Sequence, residues 1–288
     1  MRYIKDISNG DSPFLLKKNT FYNHSLGFTE DKFSKFNICH LLLDKLPRAY
    51  DFKEEEIDAF MLFNENKYIA DVSEKLGLKI FQLENISGVK TTIRFKEITL
   101  SSSSSYDFIH PGQNIYNNTK ILINKLSNAV SSDDTNKHKI FIDRQAALTR
   151  KTLNHDEVYN YFKKEGFLFV KLEDLSLSEQ IKIFKEAECI VGVHGAGMVN
   201  IAFCQKGTKI LEIMPPLCAT SAYWKLANAM DLKYDCVLAD DPSFPKPDYT
   251  KWQHEPAKYN RRDVVLNIEK IKTSLDNLLK SDHQKNSY

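Results

Sequence analysis

Apolar and polar positions follow two rhythms along this chain, and they are clearest in its second half. Short runs rich in β-branched and aromatic residues, at 139–143, 167–172, 189–193, 208–213 and 234–238, alternate with stretches of helical spacing. A continuous apolar run bounded by turn residues is the pattern of a strand covered on both faces, as in a parallel sheet. Between these runs, Asn154 with Glu157 and Ser176 with Glu179 have the spacing of reciprocal capping boxes, and Gly166 stands where the first of the two helices would end. Residues 220–230 read as another helix, and Asn267 is placed to cap a last amphipathic helix through Leu279. Strands alternating with helices at short spacing predict an α/β fold with a doubly wound parallel sheet.

The first half repeats the alternation less regularly. Strands are predicted at 57–63, 78–83 and 91–100, with helices at 68–76, ended by Gly77, and at 114–129. The polar run 131–139 marks a boundary, which gives an expected N-terminal domain of residues 1–130 and a C-terminal domain of residues 131–288. The architecture expected is two Rossmann-like lobes whose parallel sheets face a cleft. Residues 36–48 suit a buried helix that carries His40, Asp44 and Arg48 at i, i+4 and i+8. Pro47 removes the helical hydrogen bond to Leu43, so the helix should kink or end near Lys45. Titratable groups on an apolar helix need partners or a cleft; a His–Asp pair satisfied by itself is the plainer reading.

Composition narrows the classes. The 288 residues carry 40 basic and 38 acidic side chains, a net charge of +2, so the basic excess of a nucleic-acid-binding protein is missing. The five cysteines (Cys39, Cys189, Cys204, Cys218 and Cys236) are scattered, mostly within apolar runs, and form no C-x-x-C pair. They read as small buried hydrophobes of a reducing compartment, not as a zinc site or disulfide framework. The first residues lack the apolar core of a signal peptide, and no apolar run reaches the length of a membrane span. A cytoplasmic location is expected, compatible with peripheral contact at the inner face of a membrane.

Candidate chemistry gathers around one stretch. After the run 189–193 comes His194-Gly195-Ala196-Gly197, then a short apolar helix over 198–203, Gly207 and the run 208–213. A glycine turn that opens a helix at the C-terminal edge of a parallel sheet offers unpaired N–H groups and the positive end of a helix dipole, a place for phosphate. Arg144 directly follows its strand and Arg150 lies one loop further on. Planar guanidinium groups suit two phosphate oxygens at once, although Arg150 also reads as an exposed loop charge. Glu212, late in its strand, is placed either to accept from ribose hydroxyls or to be a buried capping carboxylate. His194 either donates to an oxyanion or orders the turn. H-G-A-G also occurs as the oxyanion turn of esterases, but the G-x-S-x-G elbow such enzymes need is missing from the sequence.

Taken together, these residues resemble glycosyltransferase family 61. Three blocks carry the resemblance: Asn37-Ile38-Cys39-His40 through Asp44-Lys45-Leu46-Pro47-Arg48; Arg144 through Arg150 with Asn154 to Glu157; and Val193-His194-Gly195-Ala196-Gly197 with Asn200, Phe203, Gly207 and Glu212. The last block is the most specific, and the likeness runs from about Asn37 to Asp240. Ile38 and Leu41 stand where the family usually has aromatic residues, a departure that bears on acceptor contacts. The resemblance implies a GT-B-like fold and a sugar nucleotide, UDP-linked, in the C-terminal lobe. It implies inversion at the anomeric carbon without an obligatory metal, in keeping with the lack of a D-x-D element in the sequence. Arg144, Arg150, His194, Gly195, Ala196, Gly197, Asn200 and Glu212 would then bind the donor. The acceptor would be a glycan, polysaccharide or lipid-linked hydroxyl, as in capsule polysaccharide biosynthesis. A single displacement needs a base from the other lobe, so His40 and Asp44 are the candidates, with His40 as base oriented by Asp44 favoured. The alternative is a non-catalytic nucleotide-sugar-binding subunit of a polysaccharide assembly complex.

Overall fold

The computed structural model describes residues 20–22, 38–51, 59–62, 67–77, 80–82, 98–99, 113–133, 137–216, 218, 220–240 and 262–280. The chain divides into two compact units, Met1–Ala129 and Val130–Tyr288. Among the described residues no helix is long and apolar enough to cross a membrane.

In the first unit four short strands, β1 (Thr20–Tyr22), β2 (Ala59–Leu62), β3 (Ile80–Gln82) and β4 (Ile98–Thr99), pair in parallel in the order β3-β2-β1-β4. Helix α2 (Ile69–Leu76) ends at Gly77, whose φ of 63° is the left-handed conformation that glycine adopts without steric penalty. The segment around Pro47 differs from a simple helix. It is α-helical over Ile38–His40 (α1), π-helical over Leu41–Lys45 and 3-10 over Leu46–Asp51. A proline cannot donate to the carbonyl four residues back, so the ladder changes type next to it. His40 therefore closes the α turn while Asp44 lies in the π turn, and the α-helical repeat expected to align them with Arg48 is interrupted. The side chains of His40, Asp44 and Arg48 lie outside the described residues. Leu42 and Leu46 are fully buried, and α3 (Gln113–Asn128) packs on the 3-10 segment with Leu122, Ile123 and Leu126 in the core.

The second unit carries the longer strands. They are β5 (His138–Ile142), β6 (Phe167–Val170), β7 (Ala187–Val193), β8 (Lys209–Met214) and β9 (Lys233–Leu238). All pair in parallel, in the order β6-β5-β7-β8-β9. Alternation along the strands sends Phe141, Val191, Val193, Leu211 and Ile213 to one face. There they meet Val158 and Phe162 of α4 (His155–Lys164) and Ile271, Leu275 and Leu278 of the last helix, α7 (Ile268–Lys280). Burying each large apolar side chain stabilises the fold by about 1.5–3 kcal/mol. On the other face a 3-10 helix (Ala196–Phe203) lies over β7, with Met198 against the position of Gly192, and α5 (Leu177–Lys185) and α6 (Ala222–Ala229) pack on it.

Two capping expectations separate here. Ser176 closes a complete capping box with Glu179, each side chain bonding the other's backbone N–H. Asn154 makes no cap hydrogen bond. Its amide instead donates to Leu266 O (2.9 Å) and to Glu157 Oε2 (2.8 Å), while its Oδ1 accepts from Leu266 N (2.9 Å). The asparagine thus staples a segment 112 residues away, where Thr152 and Val264 form a parallel bridge. That contact leaves no trace in local spacing. Four of the cysteines are buried, as read from their apolar settings, but Cys236 on the edge strand β9 is exposed.

Candidate functional site

The strand order reverses between β5 and β7: from β5 the chain crosses to the edge strand β6, then returns over β5 to reach β7. At such a switch the connections leave the two strand ends in opposite directions, and a crevice opens beyond them. Arg144 and Arg150 follow β5, and His194–Gly197 follows β7, so the sheet topology brings together what the sequence holds 44 or more positions apart.

The β5 side is built by a polar turn. Asp143 is buried and extends the ladder with N–H to Val170 O (3.0 Å); its Oδ1 accepts from Gln145 N (3.0 Å). Gln145 Nε2 donates to Thr152 O (2.8 Å), closing the loop, and Arg150 has a φ of 59°, rare for a residue with a Cβ. On the β7 side, His194 N–H continues the sheet to Ile213 O (2.9 Å). The two carbonyls of the bend are then taken: Arg150 Nη1 donates to His194 O (2.7 Å) and Tyr223 Oη donates to Gly195 O (2.7 Å).

Arg144 lies directly on Gly195. A Cβ at that position would stand 2.1 Å from Arg144 Nη1 and 2.7 Å from its Cζ, so glycine is required by space, its backbone being extended. The guanidinium donates through Nη2 to Thr149 O (3.1 Å), while the buried Nε atoms of both Arg144 and Arg150 have no partner. No carboxylate among the described residues forms an ion pair with either arginine. Burial, and then the neighbouring charge of Arg150, lowers the Arg144 pKa to about 10. Two guanidinium groups held together with buried Nε donors unspent are an arrangement chemically suited to a multivalent anion.

The other expected residues fall around this bend in different ways. Gly197 packs on Leu172, and Ala196 opens the short helix expected after the turn, which is a 3-10 helix. Asn200 is fully buried; its Nδ2 donates to Gln180 Oε1 (2.9 Å) and Gly197 O (3.2 Å), so it fixes the turn from inside. Glu212 is 1% exposed, and both of its oxygens are engaged within the protein. One of its oxygens is held by His194 Nδ1 and the other by Tyr234 Oη at 2.5 Å. Burial disfavours the charged His194 ring, but contacts with Cys218 and Glu212 outweigh it and raise its pKa. The Tyr234 phenol is pushed well above its usual range, first by burial and then by the Glu212 charge beside it. Tyr223, Tyr234 and Gln180 were not foreseen: in the sequence they are ordinary helix and strand positions, and only the fold brings them here. His40 and Asp44 belong to the other unit.

Two arginines and a glycine bend thus meet at the switch point of a parallel α/β sheet. A family model, Glycosyltransferase 61, matches residues 38–211, a span that takes in His40, Asp44, both arginines and the whole bend. The chain belongs to the glycosyltransferase 61 family, enzymes that pass a sugar from a donor to an acceptor. It is also similar to the EGF domain-specific O-linked N-acetylglucosamine transferase of Gallus gallus, 33% identical over 69 residues. That match covers 22% of this chain and 13% of the relative.

Proposed function

We propose that this protein is an inverting glycosyltransferase that moves a sugar from a UDP-linked donor to a hydroxyl of a glycan, polysaccharide or lipid-linked acceptor without requiring a metal. The observation that carries the reading is the packing of Arg144 on Gly195 beside Arg150, at the end of β5 and β7. A nucleotide diphosphate is the donor group whose charge and shape fit two adjacent guanidinium forks. As the glycosidic bond breaks, negative charge grows on the departing phosphate. Fixed cations placed beforehand stabilise that charge without reorganising. His194 adds a third polar group at the bend, and the missing side chain of Gly195 lets Arg144 come close.

The chemistry of inversion is one displacement at the anomeric carbon. The acceptor oxygen attacks opposite the leaving diphosphate and gives up its proton to a base. His40 is the base in this reading and Asp44 orients it, both supplied by the first unit. Each unit carries an all-parallel sheet, as a Rossmann-like lobe does.

Titration calorimetry of UDP against the full chain tests the donor side, and transfer from UDP-sugars followed by mass spectrometry tests the reaction. UDP should bind, and His40→Ala should lose transfer while keeping UDP affinity. Full transfer in that variant removes His40 from the mechanism; binding without any turnover, with or without acceptors, would favour a binding subunit over an enzyme.

A further inference from the structure

Glu212 and Tyr234 form a buried polar chain that the donor site does not use directly, and both lie beyond the residues matched by the family model. Their alignment follows from the register. Gly192 pairs with Glu212, and Glu212 with Cys236, so these three share a face with His194 two residues past Gly192 and Tyr234 two residues before Cys236. A diagonal row thus runs from Tyr234 through Glu212 to His194, rising toward the C-terminal edge where the anion crevice opens. The phenol donates to one carboxylate oxygen and His194 Nδ1–H donates to the other. A carboxylate sealed from water at 1% exposure needs such donors, and it favours an imidazole that keeps its Nδ1 proton.

We propose that Glu212 and Tyr234 are positioning residues that hold the His194 ring fixed and protonated, as a third cation beside Arg144 and Arg150 in the donor site. The proposal rests on reading that crevice as a diphosphate site. With Nδ1–H committed to Glu212, the second ring nitrogen carries a proton only while the imidazole is charged. In the proposal that proton, shared with the neighbouring Cys218 thiol, is offered to a bound phosphate oxygen; after deprotonation the nitrogen presents a lone pair to the same oxygen. Donor affinity becomes pH-dependent through this one ring. The groups that face it are Glu212 from β8, Cys218 from the loop after β8, and Tyr223 from α6, whose ring centroid lies 5.2 Å away. From the β5 loop come Arg150, through the His194 carbonyl, and Arg144 over Gly195; behind Glu212 stand Tyr234, Cys236 and Asp235 of β9.

The test uses the full chain with UDP as probe, titrated calorimetrically from pH 6 to 9, alongside an NMR titration of the His194 imidazole. In the unmodified protein UDP affinity should fall about tenfold as His194 deprotonates, the worth of one charge-assisted hydrogen bond. Glu212→Gln should move the His194 titration to lower pH and weaken UDP about tenfold at pH 7. Tyr234→Phe, which keeps the ring packing, should weaken UDP about threefold at pH 6 and lower the melting temperature while leaving the protein folded. This variant carries the test should the buried Glu212→Gln fail to fold. A His194 titration unmoved in Glu212→Gln, a UDP affinity flat with pH in the unmodified protein, or a folded Tyr234→Phe indistinguishable from it at every pH would each overturn the proposal. Failure of UDP to bind the unmodified protein at any pH would instead overturn the diphosphate reading. The histidine titration would then still decide whether Glu212 sets the charge of the ring.

Discussion

Two polar clusters meet at the same edge of the second sheet, and they are built on opposite principles. Arg144 and Arg150 keep buried donors unpaired and have no carboxylate partner among the described residues. His194, Glu212 and Tyr234 satisfy one another. Protein interiors tolerate buried charge when it is paired, so the satisfied cluster needs no ligand to account for it, whereas the unsatisfied one does. The comparison separates two guanidinium groups with unspent buried donors from three side chains that hold one another in place.

Substitutions can break that contrast from either side. The largest effect should come from Glu212→Ala, which strands a buried phenol and a buried imidazolium. Removing one partner of a buried pair typically destabilises by about 3–5 kcal/mol, to be read from chemical denaturation at pH 6. Arg144→Ala should do the reverse. UDP affinity should drop on the order of a hundredfold, since two charge-assisted hydrogen bonds go with it, yet the melting temperature should hold or rise because a buried charge without a contacting carboxylate leaves the interior. A loss of stability in Arg144→Ala comparable to that of Glu212→Ala would mean that the arginine is structural and the contrast false.

Much of this arrangement was legible before any coordinates. The strands of the second unit announce themselves because a sheet covered on both faces demands unbroken apolar runs, and Arg144 and His194 stand out because each directly follows such a run. What escaped is what depends on distant partners. Asn154 has the spacing of a cap but spends its amide on Leu266, and no local rule weighs a partner that far along the chain. Glu212 was placed correctly on its strand end, but whether a carboxylate there meets a ribose or a histidine depends on Tyr234, one strand further across the sheet. The mixed helix from Ile38 to Asp51 was half legible: Pro47 announced a break, while the π turn before it had no signal of its own.

A smaller and more local effect should follow from Gly195→Ala. The added methyl would meet the Arg144 guanidinium, the far end of a flexible side chain, so the chain can yield without unfolding. Displacing the guanidinium should lower UDP affinity about tenfold, less than its removal, because the charge stays nearby. Double substitution with Arg144→Ala should add little beyond Arg144→Ala alone, since both act through the same contact. Additive losses in the double variant would show that the glycine serves the bend itself.

The gentlest perturbation leaves the sequence untouched and changes pH. The pKa of His194 is raised above its ordinary 6.5 by Cys218 and Glu212 against the opposing effect of burial. The folded state therefore binds this proton more tightly than the unfolded chain does. Its contribution to stability is complete below pH 6.5 and disappears as pH climbs through the raised folded value. Asp240 behaves oppositely. Lys270 and Asn267 hold it below its ordinary 3.8, so its contribution is present above that value and is lost only on acidification, outside the histidine window. Thermal melts from pH 6 to 9 should thus show a decline that His194→Gln flattens and that leaves acid unfolding unchanged. An equal decline in His194→Gln would assign the alkaline loss to some other group and deprive the satisfied cluster of the charged imidazole on which its part in the comparison depends.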